Sequence, residues 1–327
     1  MRITDNILTN QFLYNFNNSL AKVSDLQEQM SSGKAVNKPS DDPVKAVRSL
    51  TFKTDLTVNS SFTQNASDAA SWMSTSDGAI TSAETVIQNI QSLIQSVAVP
   101  DPTVAYGAAA QQLNGYINEL VNLGNTQIGG RYLFAGQNDK AQPFATTNNA
   151  DGSISVTYSG TYDGEIVNGV ADPHAGTVTM KVSPGAPDPV RDKINVDGVG
   201  LFGALNAAGA PQLFQDLQTI YGHLTAASPS VSQLSTDLGL LSNDTGTGDE
   251  DHLLVSQTSL GARQAVYQTI STRLTADNVT IKSDLSTNQD LNMSKASIDF
   301  QTATNVYNAA LSVGAKILPQ SLVDYLK

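Results

Sequence analysis

The chain has 327 residues, 40% of them apolar, enough for more than one small core. Its 18 Lys and Arg stand against 30 Asp and Glu, a formal charge of −12, and no run of basic residues offers a grip on phosphate, which excludes nucleic acid as a partner. Cysteine is absent, which excludes disulfides, thiolate metal centres and thiol nucleophiles, and no apolar stretch is long enough for a membrane-spanning helix.

Charged residues make up only 15%, against about 25% in ordinary soluble domains. The 25 Asn and 22 Gln carry much of the surface polarity instead. Residues Met1 to Asn6 have neither an apolar signal core nor a small-residue cleavage site. A cytosolic chain and export by a route that reads no cleaved signal both stay open.

In chain order, Leu13, Phe16, Leu20, Val23 and Met30 predict an amphipathic first helix, with Gln27 at the missing step. It ends at Ser31-Ser32-Gly33, where glycine can take the left-handed conformation. Ser40-Asp41-Asp42-Pro43 signals the next start: a capping carboxylate, then proline at the first helical position. Phe62, Ala66, Ala69, Met73, Ser76, Ile80, Ala83, Ile87, Ile90, Ile94 and Val97 keep alternating steps of four and three. They predict a rod about 50 Å long whose narrow stripe suits nearly parallel helix packing. A further helix is expected from Val104 to Ile128.

From Gly129 the period changes to two. Arg131 to Phe134, Ser153 to Tyr158 and Thr177 to Val182 alternate between turns at Asp151-Gly152, Asp163-Gly164, Asn168-Gly169 and Pro184-Gly185. Helical spacing returns over Pro211 to Ala227, and a flexible acidic loop is expected from Asn243 to Asp251. A second rod follows through Leu260, Tyr267, Ile270, Leu274 and Ile281. The last helix carries two neighbouring stripes, Phe300, Thr304, Tyr307, Leu311, Gly314, Leu318 and Ala303, Val306, Ala310, Val313, Ile317. So wide an apolar face must be buried in this chain or against other copies.

The fold class expected is therefore mainly α with a β-rich insert. Terminal helices occupy 1–44 and 289–327, a helical rod 45–139 and 206–288 with a hairpin near 131–145, and a small antiparallel β module 140–205. First and last helices are expected to pair antiparallel, giving an elongated molecule with both termini at one end.

Residues for chemistry are sparse. His174, His223 and His252 are isolated, and each reads as a solvated or capping imidazole. Gly198-Val199-Gly200-Leu201-Phe202-Gly203 matches a dinucleotide-binding pattern, with Asp216 at a tolerable distance, but no βαβ repeat surrounds it and a glycine-rich turn is expected. The Asp197-Gly198 and Asp151-Gly152 pairs lack the first carboxylate of a calcium loop, having Lys193 and Thr147 there. No catalytic, cofactor-binding or metal site is expected, and no enzymatic activity.

Met1-Arg2-Ile3-Thr4, Leu26 to Lys34 and Lys38-Pro39-Ser40-Asp41-Asp42-Pro43-Val44 resemble the start of the bacterial flagellin-like family. Asn125, Gly130-Arg131-Tyr132-Leu133-Phe134-Ala135-Gly136, Pro143-Phe144 and the ending Ser321 to Leu326 are similar to the branch that joins hook to filament. The likeness covers about the first 145 and last 70 residues. It implies a flagellar, extracellular structural adaptor exported without a cleaved signal, with the β module facing outward. It further implies as partners flagellin subunits, the first hook-associated protein, other copies of the chain, and an export chaperone on the C-terminal helix. Within it, Ser40, Asp41, Asp42, Pro43, Gly130, Arg131, Tyr132, Phe134 and Gly136 are the family-motif residues. Leu13, Phe16, Leu20, Val23, Tyr307, Leu311, Val313 and Ile317 are expected to carry assembly; an intramolecular coiled coil would use the same stripes. Pro319 departs from the pattern, because proline inside a helix costs about 3 kcal/mol. A filament flagellin, an enzyme carried in the insert and a secreted coiled-coil adhesin or scaffold are the alternatives.

Overall fold

The structure, a computed structural model, describes residues 2–99, 105–167, 170–241 and 249–317. Among them the helices are α1 (Arg2–Ser32), α2 (Pro43–Val97), α3 (Tyr106–Gly124), α4 (Gly198–Phe202), α5 (Gln212–Thr225), α6 (Val231–Leu241), α7 (Asp249–Gln289) and α8 (Met293–Ile317). The strands, all between α3 and α4, are β1 (Gln127–Ile128), β2 (Arg131–Tyr132), β3 (Phe144–Asn148), β4 (Ile154–Tyr158), β5 (Glu165–Val167) and β6 (Val170–Asp172). The chain divides into two compact units, 1–60 with 276–327 and 61–275, so α2 and α7 contribute residues to both.

In the first unit, α1 stops where Gly33 turns to φ +70°. The backbone of Gly33 to Ala35 then pairs with that of Gln289 to Leu291. Ala35 N–H donates to Gln289 O at 2.8 Å and Leu291 N–H to Gly33 O at 2.9 Å. The two aspartates of the start signal divide their work. Asp41 accepts from the N–H groups of Lys38 (2.9 Å) and Asn37 (3.1 Å), which hold its carboxyl below the usual carboxylate range. Asp42 accepts from Lys45 N–H at 3.0 Å and caps α2, with Pro43 as its first residue. Asn288 Nδ2 donates to Lys45 O and Ser49 Oγ, both at 2.9 Å, tying α7 to the start of α2.

The second unit is built on the long stripe of α2. Ala66, Ala69, Met73, Ser76, Ile80, Ala83, Ile87, Ile90, Ile94 and Val97 are all buried, and Phe62 packs at the edge of the same core. Ser76, the polar step, is satisfied by donating to Trp72 O at 2.9 Å. Leu113, Ile117 and Leu120 of α3, Leu213, Leu217 and Ile220 of α5 and Leu260, Tyr267 and Leu274 of α7 join it.

The third helix is shorter than its pattern. It spans Tyr106–Gly124, not Val104 to Ile128; Val104 lies outside the described residues, and Gln127–Ile128 is a strand. A Cβ on Gly124 would stand 2.7 Å from the Phe144 ring, so only glycine lets β3 close on the helix end. Asn125 then substitutes for a strand partner: its Nδ2 donates to Phe144 O (3.0 Å) and its Oδ1 accepts from Phe144 N–H (3.1 Å). Gly129 and Gly130, at φ +57° and +77°, form the two-residue turn between β1 and β2.

The β-rich insert consists of separate antiparallel pairs, β3 with β4 and β5 with β6, and shares the helical core. Phe144, Ile154, Val156 and Tyr158 turn into that core, against α3 and α5. Thr177 to Val182 does not form a ladder strand as its alternation predicts. It makes a single bridge, Thr179 with Lys193, flanked by Met180 N–H to Asp192 O and Ile194 N–H to Val178 O (both 2.9 Å), while Val178 N–H donates to the Asn195 side chain at 2.7 Å instead of to a strand; Tyr267 OH donates to Met180 O and Asp192 O (both 3.0 Å). Asn168-Gly169 lies outside the described residues, as do 243–248 of the expected acidic loop; Asp249–Asp251 belong to α7 instead. The helix α6 was not legible in the spacing. Leu234, Asp237 and Leu241 are buried on it, and a buried aspartate breaks an apolar stripe.

Candidate assembly surface

Helices α1 and α8 pack antiparallel along the first unit: Phe12 meets Gly314, and Phe16 meets Tyr307. The Phe16 and Tyr307 rings stack with centroids 5.2 Å apart, and Phe12 stacks on Phe16 at 6.0 Å. Gly314 is buried, and a Cβ there would stand 2.4 Å from Phe12 Cζ; its bare backbone is the seat of that ring. The inward side of α1 is thus Phe12, Phe16, Ser19, Val23, Leu26 and Met30, all half-buried. Facing it on α8 are Ala296, Phe300, Ala303, Thr304, Tyr307 and Ala310.

The expected assembly residues therefore separate into two sets. Phe16, Val23 and Tyr307 belong to the intramolecular seam. Leu13 (42% exposed), Leu20 (44%), Leu311 (45%) and Val313 (49%) flank it and stand open to solvent, joined by Val306 at 53%. Ile317 closes α8, and its side chain lies outside the described residues, as do Leu318 and Pro319. Phe12 was missed, although it continues the steps of four and three through Phe16, Ser19, Val23 and Leu26. The stripe read through Leu13 and Leu20 ran beside this one, and one helix alone cannot say which of two adjacent stripes its partner covers. Along the seam, Ser19, Lys22 and Leu26 face Asp299, Thr302 and Val306 across a groove of about 280 Å³.

The family-motif residues lie elsewhere and build structure. Ser40 to Pro43 form the turn into α2 described above. Arg131 holds its guanidinium 5.1 Å above the Trp72 ring while its Nε donates to Asp139 Oδ2 at 2.6 Å. Tyr132 N–H donates to Asp139 O (2.7 Å), and the buried Phe134 gives its carbonyl to Tyr158 OH (2.9 Å). Gly136 sits at φ +62°, where a Cβ would stand 2.2 Å from Thr161 O.

The remaining chemical candidates are structural as well. Gly198 to Phe202 is α4, capped by Asp197, which accepts from Gly200 N–H at 2.8 Å. Phe202 packs edge-on against Phe144 and Phe214 (5.3 and 5.0 Å), and Gly198 lets Tyr158 approach, so the glycines serve packing. Burial pushes the Asp197 carboxyl above its ordinary value, although Gly200 N–H opposes this. His223 is not simply solvated: its Nδ1 lies 2.7 Å from Oδ2 of the buried Asp237, joining α5 to α6. Among the described residues no group of three or more His, Asp or Glu could hold a metal ion. No helix there is long and apolar enough to cross a membrane.

Residues 3–139 match the family model of the bacterial flagellin N-terminal helical region, so over this part the chain is similar to flagellins. The more particular likeness is to hook-associated proteins. The chain is 34% identical over 163 residues to flagellar hook-associated protein 3 of Salmonella typhimurium, covering 48% of this chain and 51% of that protein. It thus spans about half the length of this curated relative. In fold it resembles a flagellar hook-associated protein structure from Vibrio parahaemolyticus, with a TM-score of 0.56 and 12% identity over 76% of this chain and 99% of that one. It also resembles FlgL of Xanthomonas campestris, with a TM-score of 0.51 and 16% identity over 72% of this chain and 99% of that one.

Proposed function

We propose that this chain is a structural adaptor of the bacterial flagellum, standing between hook and filament and acting by subunit packing rather than by catalysis. The observation that carries this is the division of the terminal helices. Phe16 and Tyr307 hold α1 to α8, while Leu13, Leu20, Leu311 and Val313 are left exposed beside them. An apolar flank on both sides of a finished seam is surface that solvent does not favour and that neighbours would cover. The likeness to hook-associated protein 3 supports the station in the flagellum.

Mechanistically, a head-to-tail contact that does not close on itself propagates around a tube. The terminal helices, 1–44 and 289–327, are the assembly parts. Flagellin subunits, the first hook-associated protein and other copies of this chain are the neighbours, and an export chaperone covers α8 before assembly. The chain would leave the cell through the flagellar export channel without a cleaved signal.

Deletion of the gene tests this. Non-motile cells that keep their hooks and shed unassembled flagellin into the medium are expected, with rescue by the full chain. Cells that still build attached filaments overturn the assignment.

A further inference from the structure

Charge is distributed unevenly between the two units. Residues 1–60 and 276–327 hold eleven Lys and Arg and eleven Asp and Glu, which cancel; residues 61–275 hold seven and nineteen, and so carry the whole −12. Within the neutral unit, residues 33–53 concentrate Lys34, Lys38, Lys45, Arg48 and Lys53 against only Asp41 and Asp42.

Three of these lysines, Lys34, Lys38 and Lys53, line a pocket of about 190 Å³ together with Val36, Pro39 and Leu50. Lys38 is held by Glu28 at 2.7 Å. Lys34 and Lys53 have no ion-pair partner among the described residues. Asn37 lines the same pocket, with its Nδ2 shut off from solvent and without an acceptor. Two lysines without an ion-pair partner and one solvent-shielded amide donor without an acceptor line the same open pocket, and together they offer an incoming carboxylate opposite charge and an unanswered hydrogen bond.

We propose that this pocket binds a carboxylate side chain from residues 61–275 of a second copy of the chain. The second copy is chosen because its surplus of twelve negative charges lies wholly in that unit, complementary to the free lysines here. The contact rests on the adaptor reading insofar as copies must meet, but it is distinct from the apolar flanks of α1 and α8.

The test mixes full-length protein of natural isotope composition with ¹⁵N-labelled full-length protein and joins lysines to carboxylates with a zero-length carbodiimide. Mass spectrometry then identifies isotopically mixed cross-links. Cross-links from Lys34 or Lys53 to Asp or Glu within 61–275 are expected, falling severalfold between 50 and 500 mM NaCl, as screening of exposed charges requires. By sedimentation, Lys34→Glu with Lys53→Glu should weaken self-association about tenfold, the corresponding glutamines less, and Lys282→Glu, away from the pocket, little.

Cross-links confined to one copy, joined to residues 1–60 or 276–327, or unaffected by salt overturn the contact. So does a chain that stays monomeric. Suppression by millimolar inorganic phosphate, but not by chloride of equal ionic strength, overturns the second copy as occupant in favour of a small anion. Association lost in Leu13→Glu with Leu20→Glu but unchanged in the lysine variants sinks this contact alone. Mixed cross-links from a chain whose deletion leaves filaments attached would instead sink the adaptor role and leave the contact.

Discussion

The ring of Phe16 lies on the ring of Tyr307, centroids 5.2 Å apart and planes 28° from parallel, and this pair fixes which side of α1 faces α8. Leu13 and Leu20, three residues before and four after Phe16, are thereby turned to the flank. Two kinds of variant should therefore separate. A double-mutant cycle of Phe16→Ala and Tyr307→Ala should give a coupling of about 1 kcal/mol in unfolding experiments. Leu13→Glu with Leu20→Glu, at exposed positions, should change stability by only about 0.5 kcal/mol yet abolish motility. A motile double glutamate strain would remove these leucines from the assembly surface.

Gly136 stands at φ +62° with its missing Cβ directed at Thr161 O, 2.2 Å away. Both the backbone conformation and the collision oppose a side chain, and neither obstacle is the movable end of another side chain. Gly136→Ala should destabilise the second unit by about 3 kcal/mol. Gly115→Ala, inside α3 with nothing within 4 Å of the new atom, should instead stabilise by about 0.5–1 kcal/mol. Urea unfolding of the two variants checks the pair; equal effects would remove the conformational explanation.

What the sequence displayed and what it concealed follow from the range of the forces involved. The α2 stripe was legible residue by residue because one helix face meets one continuous core. The Gly33 stop and the Asp42-Pro43 start were legible because capping is local. The seam of α1 with α8 was not, since Phe12 and Leu13 fit equally regular stripes and only the position of Phe300 and Tyr307 chooses between them. Asn125 ended α3 earlier than its apolar period suggested, through bonds to Phe144, nineteen residues away. Thr177 to Val182 is cut to a bridge where Val178 N–H goes to the Asn195 side chain, seventeen residues away, and α6 was hidden by Asp237, whose partner is His223. Each miss is a long-range contact overriding a local pattern.

Asp197 is buried at the start of α4, and burial raises its carboxyl above the ordinary range. The native state therefore holds this proton more tightly than the unfolded chain, whose aspartate titrates near 3.9 (about pH 4). The sign follows: the stabilising share of Asp197 is complete below about pH 4 and declines as pH rises through the raised native value. Asp197→Asn keeps an oxygen to accept from Gly200 N–H and removes the charge. Its stability relative to the parent should rise between pH 4 and pH 7 in paired urea titrations. A difference independent of pH would show that the burial of Asp197 does not penalise its charged form.

Arg131 spans two partners that make different demands. Asp139 is nearly buried and requires a cation, whereas the Trp72 face favours the planar guanidinium, which stacks on it as an ammonium cannot. Arg131→Lys should keep the first interaction and weaken the second by removing the stacked plane, lowering stability by about 1 kcal/mol; Arg131→Ala should cost more, about 2 kcal/mol, because Asp139 is then left without its counter-charge. Trp72 is the only tryptophan in the chain, so its fluorescence reports on the surroundings of this one indole, Arg131 among them. Emission should change in Arg131→Lys and Arg131→Ala alike, while unfolding separates them. If Arg131→Lys retained the parent spectrum, the guanidinium would not be resting on the indole.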